Sequence, residues 1–266
     1  MAENLRQTKC GGRGKDLPSS GRRGGLQVVT GPRVSREYIL TNKERAYYAG
    51  ETGVERTRSY TGLVVDLHKY IESWELIVGD TPLASWGLRH ACVLPQSMTR
   101  EYLFERTTET VCLADGVNIL LIGLNTSYRG RAAFAPRIDI RSVWEEGRPE
   151  YQTLWEPKAN TLAVRRIDHT ERTDKEDYPV WVAISSDRPL TFTPEPLYRQ
   201  TTYTKDAARK AMGSAIPFIP GRLEFQFESD AAFPSQATFS IAVGDTLEEA
   251  MELARRGIED EFALYD

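Results

Sequence analysis

The sequence predicts a mainly β protein: a large antiparallel two-sheet β-sandwich, supersandwich-like, that finishes on a C-terminal helix. Three observations carry this reading. From Tyr38 onward, short runs rich in β-branched and aromatic residues recur about a dozen times, at roughly 8- to 15-residue spacing and bounded by turn residues. Several of these runs alternate with period two. Helical periodicity is almost absent until the last twenty or so residues, which excludes βαβ architecture. About a dozen strands exceed an immunoglobulin-like count, so two large sheets fit best.

Residues 1–36 stand apart. They hold eight Lys or Arg against two acids, with seven glycines and few apolar side chains. Such a stretch buries too little surface to offset its ordering entropy, so it reads as a basic, Gly-rich disordered arm. Its single "GRRGG" resembles the glycine-arginine segments that bind RNA. One copy leaves nucleic acid outside the expected partners.

Residues 37–245 form the predicted sandwich. In "RLEFQFES", Leu223, Phe225 and Phe227 fall on one face, with Glu224, Gln226 and Glu228 on the other. Asp115-Gly116 sits between two strand-like runs and signals a tight hairpin. The charged stretch 169–178, "HTERTDKEDY", reads as a solvated connection, and "YTKDAARKAMG" (203–213) as a helical turn or two closed by Gly213. Residues 246–266 carry the stronger helix. Thr246 caps it with Glu249 as box partner, Leu247, Met251 (or Ala250), Ala254 (or Leu253) and Ile258 form an apolar stripe, and Gly257 costs the middle about 1 kcal/mol relative to Ala. That helix reads as a linker to, or contact with, a further helical domain.

Bulk properties narrow the function. A net charge of −4 argues against a whole-chain nucleic-acid or anionic-membrane binder. Three cysteines are too few for a disulfide framework, and Cys92 and Cys112 sit in apolar runs that predict buried thiols. No apolar run approaches the roughly 20 residues of a membrane span, and "MAENLRQTKCGG" has no apolar h-region. The expected setting is cytoplasmic.

Catalytic motifs are wanting. The three histidines and three cysteines show no zinc spacing, and neither a Gly-x-Ser-x-Gly elbow nor a dinucleotide fingerprint is present. No catalytic residue, metal site or cofactor is assigned. Twelve Tyr and five Trp supply aromatic rings of the kind that meet the apolar and hydroxyl faces of sugars, although large sandwiches also place such rings in their cores.

Three segments, taken in order over about 37–255, resemble the N-terminal domain of prokaryotic-type glycogen debranching enzymes (amylo-α-1,6-glucosidases). "REYILTNKERAYYAGETGVERTRSYTGLVVDL" supplies Tyr38, Thr41, Asn42, Tyr48, Thr57, Arg58, Tyr60, Gly62 and Leu63 in fitting order. "VNILLIGLNTSYRGRAAFAPRIDIRSVW" supplies Pro136 and Arg141. "PLYRQTTYTKDAARKAMGSAIPFIPGRLEFQF" supplies Tyr198, Arg199, Tyr203, Arg209, Pro220 and Gly221.

The chain also departs from the pattern. Thr61 stands where the family has a His after the motif tyrosine, and Asn42-Lys43-Glu44-Arg45-Ala46 replaces a glycine-rich turn. The resemblance implies a non-catalytic sandwich that supports hydrolysis of α-1,6 branch linkages in a glycogen-like α-glucan. Its catalytic acids would belong to a helical (α/α) barrel, in cis or in trans, that this sequence does not contain. A stand-alone carbohydrate-binding or accessory module is the other expectation. Arg58, Tyr60, Arg141 and Arg199 then become candidates to meet sugar hydroxyls or the partner domain. Each has a plainer reading too: an Arg paired with a local carboxylate, a Tyr anchoring a strand.

Overall fold

The computed structural model describes residues 28–31, 33–54, 60–142, 145, 148–168, 179–202, 214–227 and 235–260. Arg58, the stretch 169–178, the predicted helix at 203–213 and the basic arm through residue 27 lie outside the described residues.

Along the chain the strands are β1 (Val28–Thr30), β2 (Glu37–Thr41), β3 (Ala46–Glu51), β4 (Gly62–Val65), β5 (His68–Val78) and β6 (Thr81–Pro82). A 3-10 helix (Leu83–Trp86) precedes β7 (Leu88–Val93), β8 (Ser97–Tyr102), β9 (Thr108–Leu113), β10 (Ile119–Thr126) and β11 (Gly130–Ser142). Then come β12 (Tyr151–Glu156), β13 (Thr161–Arg166), β14 (Trp181–Ser186), β15 (Thr191–Tyr198), β16 (Thr201–Thr202) and β17 (Ser214–Ala215). Strands β18 (Phe218–Phe227) and β19 (Ser235–Gly244) lead into helix α1 (Leu247–Glu259).

Two antiparallel sheets form the predicted sandwich. One has nine strands in the order β1-β7-β8-β9-β10-β19-β14-β13-β12, the other β15-β18-β11-β5-β4-β3-β2 with β6 paired to β5. The sandwich starts earlier than composition suggests. Val28–Thr30, inside the basic stretch, pairs with β7 as an edge strand, and Arg36 exchanges backbone and side-chain hydrogen bonds with Thr52. Three apolar or β-branched residues among arginines and glycines give too short a periodic signal to be seen.

The interior is fixed by alternation. Leu223, Phe225 and Phe227 face the core as predicted. A chain of rings crosses the sandwich from Tyr38 through Tyr48, Trp74, Phe134 and Phe239 to Phe225, with neighbouring centroids 4.4–6.4 Å apart. Offset and tilted pairs of this kind add roughly 0.5–1.5 kcal/mol each beyond area burial.

Helix α1 covers the outer face of the nine-stranded sheet, making a third layer over β19, β14, β13 and β10. Thr246 Oγ1 accepts from Glu249 N–H at 3.1 Å, and the Glu249 carboxylate reaches back to Asp245 N–H at 2.8 Å. The apolar stripe is spent on the chain's own sheet: Ala250 and Ala254 are buried against Cys112, Leu121 and Ala183. Gly257 is buried as well, and a Cβ there would meet Ser240 Oγ at 2.2 Å. Its role is close approach of helix to sheet, which the helix-propensity reading missed.

Candidate functional site

The stretch around Gly62 shapes the site. Gly62 has φ +132°, and a Cβ there would lie 2.2 Å from Ile71 O, so only glycine lets the chain enter β4 at this point. Strand β4 therefore begins abruptly. Its pairing stops at Ala49↔Gly62 on one side and Leu63↔Ile71 on the other. Strand β3 runs on to Glu51 and β5 to Val78 with no strand among the described residues between them, which leaves a notch in the eight-stranded sheet.

A cavity of about 220 Å³ opens there. Gly53, Val54 and Thr61, the flanks of the loop that carries Arg58, line its mouth. Tyr48, Trp74 and Tyr102 supply aromatic walls. Glu75 and Arg137, from β5 and β11, supply charge on the outer side. The volume falls just below the roughly 300–1,000 Å³ of drug-sized pockets, which suits one small polar ring.

Behind the notch the opposing sheet contributes an ion pair. Arg100 Nη1 donates to Glu109 Oε2 at 2.7 Å, and the same carboxylate accepts from Trp74 Nε1 (2.7 Å) and Tyr102 Oη (2.8 Å). Arg100 also donates to the carbonyls of Glu51 (2.6 Å) and Thr52 (3.3 Å). One guanidinium thus ties the nine-stranded sheet to the end of β3, where the loop departs. Burial by itself pushes the Glu109 carboxyl up. Arg100 and the donors from Trp74 and Tyr102 outweigh that, and the group stays below the ordinary carboxylate value.

The chemistry follows. Glu109 is held ionised with its acceptor sites taken, and the buried Glu51 carboxylate accepts from Ser35 Oγ at 3.1 Å. Among the described residues the Glu75 side chain makes no hydrogen bond or ion pair, so it is the lining carboxylate free to accept hydrogen bonds. Two-carboxylate glycoside cleavage needs a second available acid, and the described lining provides none. Among the described lining residues the cavity therefore presents one side-chain carboxylate without a protein partner, Glu75, beside aromatic walls. No group of three His, Cys, Asp or Glu suited to a metal occurs among the described residues. Nor is any helix among them long and apolar enough to cross a membrane.

The four candidate residues separate. Tyr60 precedes the lining residue Thr61 but does not line the cavity; it is exposed, with its hydroxyl donating to Glu37 Oε2 at 2.5 Å. That contact anchors the loop's end to β2. Arg141 belongs elsewhere. It pairs with Asp139 (2.9 Å), donates to Glu145 O (3.1 Å), and shares Asp139 with the buried Lys69 (3.6 Å). Its partner on β5 is Lys69, six residues from Glu75, or about 20 Å along the strand. Arg199 is exposed just past β15, three strands away from β5. Arg58 lies outside the described residues.

Sequence reasoning missed Arg137, Glu75 and the Arg100–Glu109 pair. A signal for the last was available: Arg100 falls in phase with Met98 and Tyr102, and Glu109 in phase with Val111 and Leu113, all core positions. Two consecutive strands each placing one charge among apolar inward residues point to a buried pair.

Asn42, from the first motif, serves the fold. Its Oδ1 accepts from Glu44 N–H (3.0 Å) and Ala46 N–H (2.9 Å), and its amide donates to Val117 O (3.2 Å). Lys43 follows at φ 64°, the left-handed conformation that a glycine-rich turn supplies without strain.

No protein-family profile matches this sequence, and no curated protein matches it. Solved structures do. A bacterial glucoamylase complexed with acarbose aligns with 90% of this chain and 38% of its own length, at 11% identity and a TM-score of 0.47. Heparinase III, the BT4657 gene product, aligns with 58% of this chain and 20% of its own, at 12% identity and a TM-score of 0.35. A 4-alpha-glucanotransferase from Thermococcus litoralis aligns over 79% and 39%, at 10% identity and a TM-score of 0.31. The chain spans less than two fifths of the length of each. The site is accordingly read from its own residues.

Proposed function

We propose that this chain is the non-catalytic β-sandwich domain of a glycogen-debranching-type glycoside hydrolase. In this reading the notch holds one glucosyl unit of an α-glucan. An (α/α) catalytic barrel, in cis or in trans, supplies the acids, and the setting is the cytoplasm. The sequence resemblance supports the family. The observation that carries the binding role is the notch itself, with the unpaired carboxylate of Glu75 beside aromatic walls and the mouth formed by the flanks of the 55–59 loop. Docking of a separate catalytic chain through an apolar face of the C-terminal helix loses its support, because α1 spends that face on its own sheet.

Calorimetric titration with glucose, maltose and maltotriose tests the reading, with the cellulose-derived trimer as control. Wild type should bind the α-linked sugars, and Glu75→Ala should bind about ten-fold more weakly with an unchanged melting temperature, as expected for one charged hydrogen bond. Arg58→Ala should behave likewise if its loop contributes to the mouth. Absence of binding by wild type, or equal binding by Glu75→Ala, would overturn the assignment.

A further inference from the structure

The 3-10 helix at the cavity rim continues past it. Leu83 and Ala84 line the cavity, while Trp86, two residues on, is 42% exposed. Its indole is not splayed into water. It stacks on Phe104 with centroids 4.3 Å apart and planes 29° from parallel, and Phe104 meets Tyr128 at 5.7 Å. One face is backed by a packed shelf, so the exposed area belongs to the other.

The shelf is firmly held. Thr107 N–H donates to Phe104 O at 2.8 Å, closing a turn in which Glu105 (φ 44°) and Arg106 (φ 48°) both take the left-handed conformation. Such turns ordinarily place Asn and Gly at these positions. Leu103 N–H donates to Gly87 O at 3.1 Å and fastens this turn to the segment bearing Trp86. An indole fixed from behind and open in front is a stacking surface for the apolar C–H face of a sugar ring. Ser85, exposed between Ala84 and Trp86, adds a hydroxyl.

Resting on the α-glucan reading above, we propose that Trp86 is the platform for the glucosyl unit next to the one in the notch. Two residues of 3-10 helix advance about 4 Å, so the platform begins roughly one ring beyond the rim. The site therefore reads at least two linked pyranose units.

The test titrates glucose and maltotriose into wild type, Trp86→Ala and Trp86→Phe, with melting temperatures confirming that each variant is folded. Trp86→Ala should leave glucose affinity unchanged and weaken maltotriose about ten-fold, and Trp86→Phe should restore most of that loss. Equal maltotriose affinity in Trp86→Ala and wild type overturns the platform. A parallel loss for glucose and maltotriose overturns it as well, because Trp86 would then be supporting the notch. If wild type binds neither sugar, the α-glucan reading fails and the platform falls with it.

Discussion

The Arg100 guanidinium meets the Glu109 carboxylate at 2.7 Å between neighbouring strands, both side chains buried and in contact with the aromatic rings of Trp74 and Tyr102. Removing one partner of such a pair leaves an uncompensated buried charge. Glu109→Gln should cost about 3 kcal/mol or more. For a chain of this size that lowers the melting temperature by roughly 6–12 °C. Arg100→Met/Glu109→Leu should recover part of the loss, but not all, because Trp74 Nε1 and Tyr102 Oη lose their acceptor. Thermal denaturation of both variants decides it. A Glu109→Gln melting temperature equal to wild type would show that the pair contributes nothing.

The same pair sets the acid limb of stability. The folded-state value of Glu109 lies below that of the unfolded chain, about 4.3. Its contribution is present above that unfolded value and is lost as pH falls through the folded one. The alkaline limb has the opposite sign. Burial raises Tyr38, Tyr102 and Tyr151 well above the usual tyrosine value, so they stay protonated in the fold while the unfolded chain ionises near pH 10. Their contribution is complete below that point and declines above it. Buried Lys69 works against this: desolvation lowers it despite Asp139, so its term improves with rising pH. Three tyrosines against one lysine predict a net loss of stability above about pH 10. A melting temperature flat from pH 9 to 11 would contradict the balance.

Much of the fold was legible, and the reason lies in period. Leu223, Phe225 and Phe227 announce an inward face, and Thr246 with Glu249 announces a helix start, because each signal is local. The notch is not local. It arises because Gly62 starts β4 late while β3 and β5 continue, a matter of register between strands that alternation cannot display. Glu75 and Arg137 consequently look like ordinary solvent-facing charges until β5 and β11 are paired. Of the stretch preceding Gly62, Thr61 lines the cavity although the sequence singles it out only as a departure from the family pattern, while Tyr60, which the sequence does propose, is not among the lining residues.

Gly257→Ala separates local propensity from packing. Alanine in a helix interior is favoured by about 1 kcal/mol over glycine. Here the added methyl would meet Ser240 Oγ at 2.2 Å and Ile119 Cγ2 at 2.9 Å, with Ser240 buried in β19. Overpacking of this kind costs typically 1–3 kcal/mol, so the substitution should destabilise despite its better helix propensity. Urea denaturation should show a lower midpoint with an unchanged slope. A raised midpoint would mean that α1 shifts outward without cost.

Arg137 and Arg141 lie four residues apart on one face of β11, about 13 Å along the strand. They should respond to substitution in opposite ways. Arg137 lines the notch next to Glu75, so Arg137→Ala should weaken maltotriose binding several-fold. Arg141 is held by Asp139 and by Glu145 O. Arg141→Ala leaves the buried Asp139 carboxylate with Lys69 alone at 3.6 Å, a poorer partner than a guanidinium at hydrogen-bonding distance. It should cost about 1–3 kcal/mol of stability, the penalty of an under-satisfied buried group, with sugar affinity intact. Titration calorimetry and thermal denaturation on the same two variants read both axes at once. If Arg141→Ala loses binding and keeps its melting temperature, the ligand lies along the far end of β11, and the notch is not where it is held.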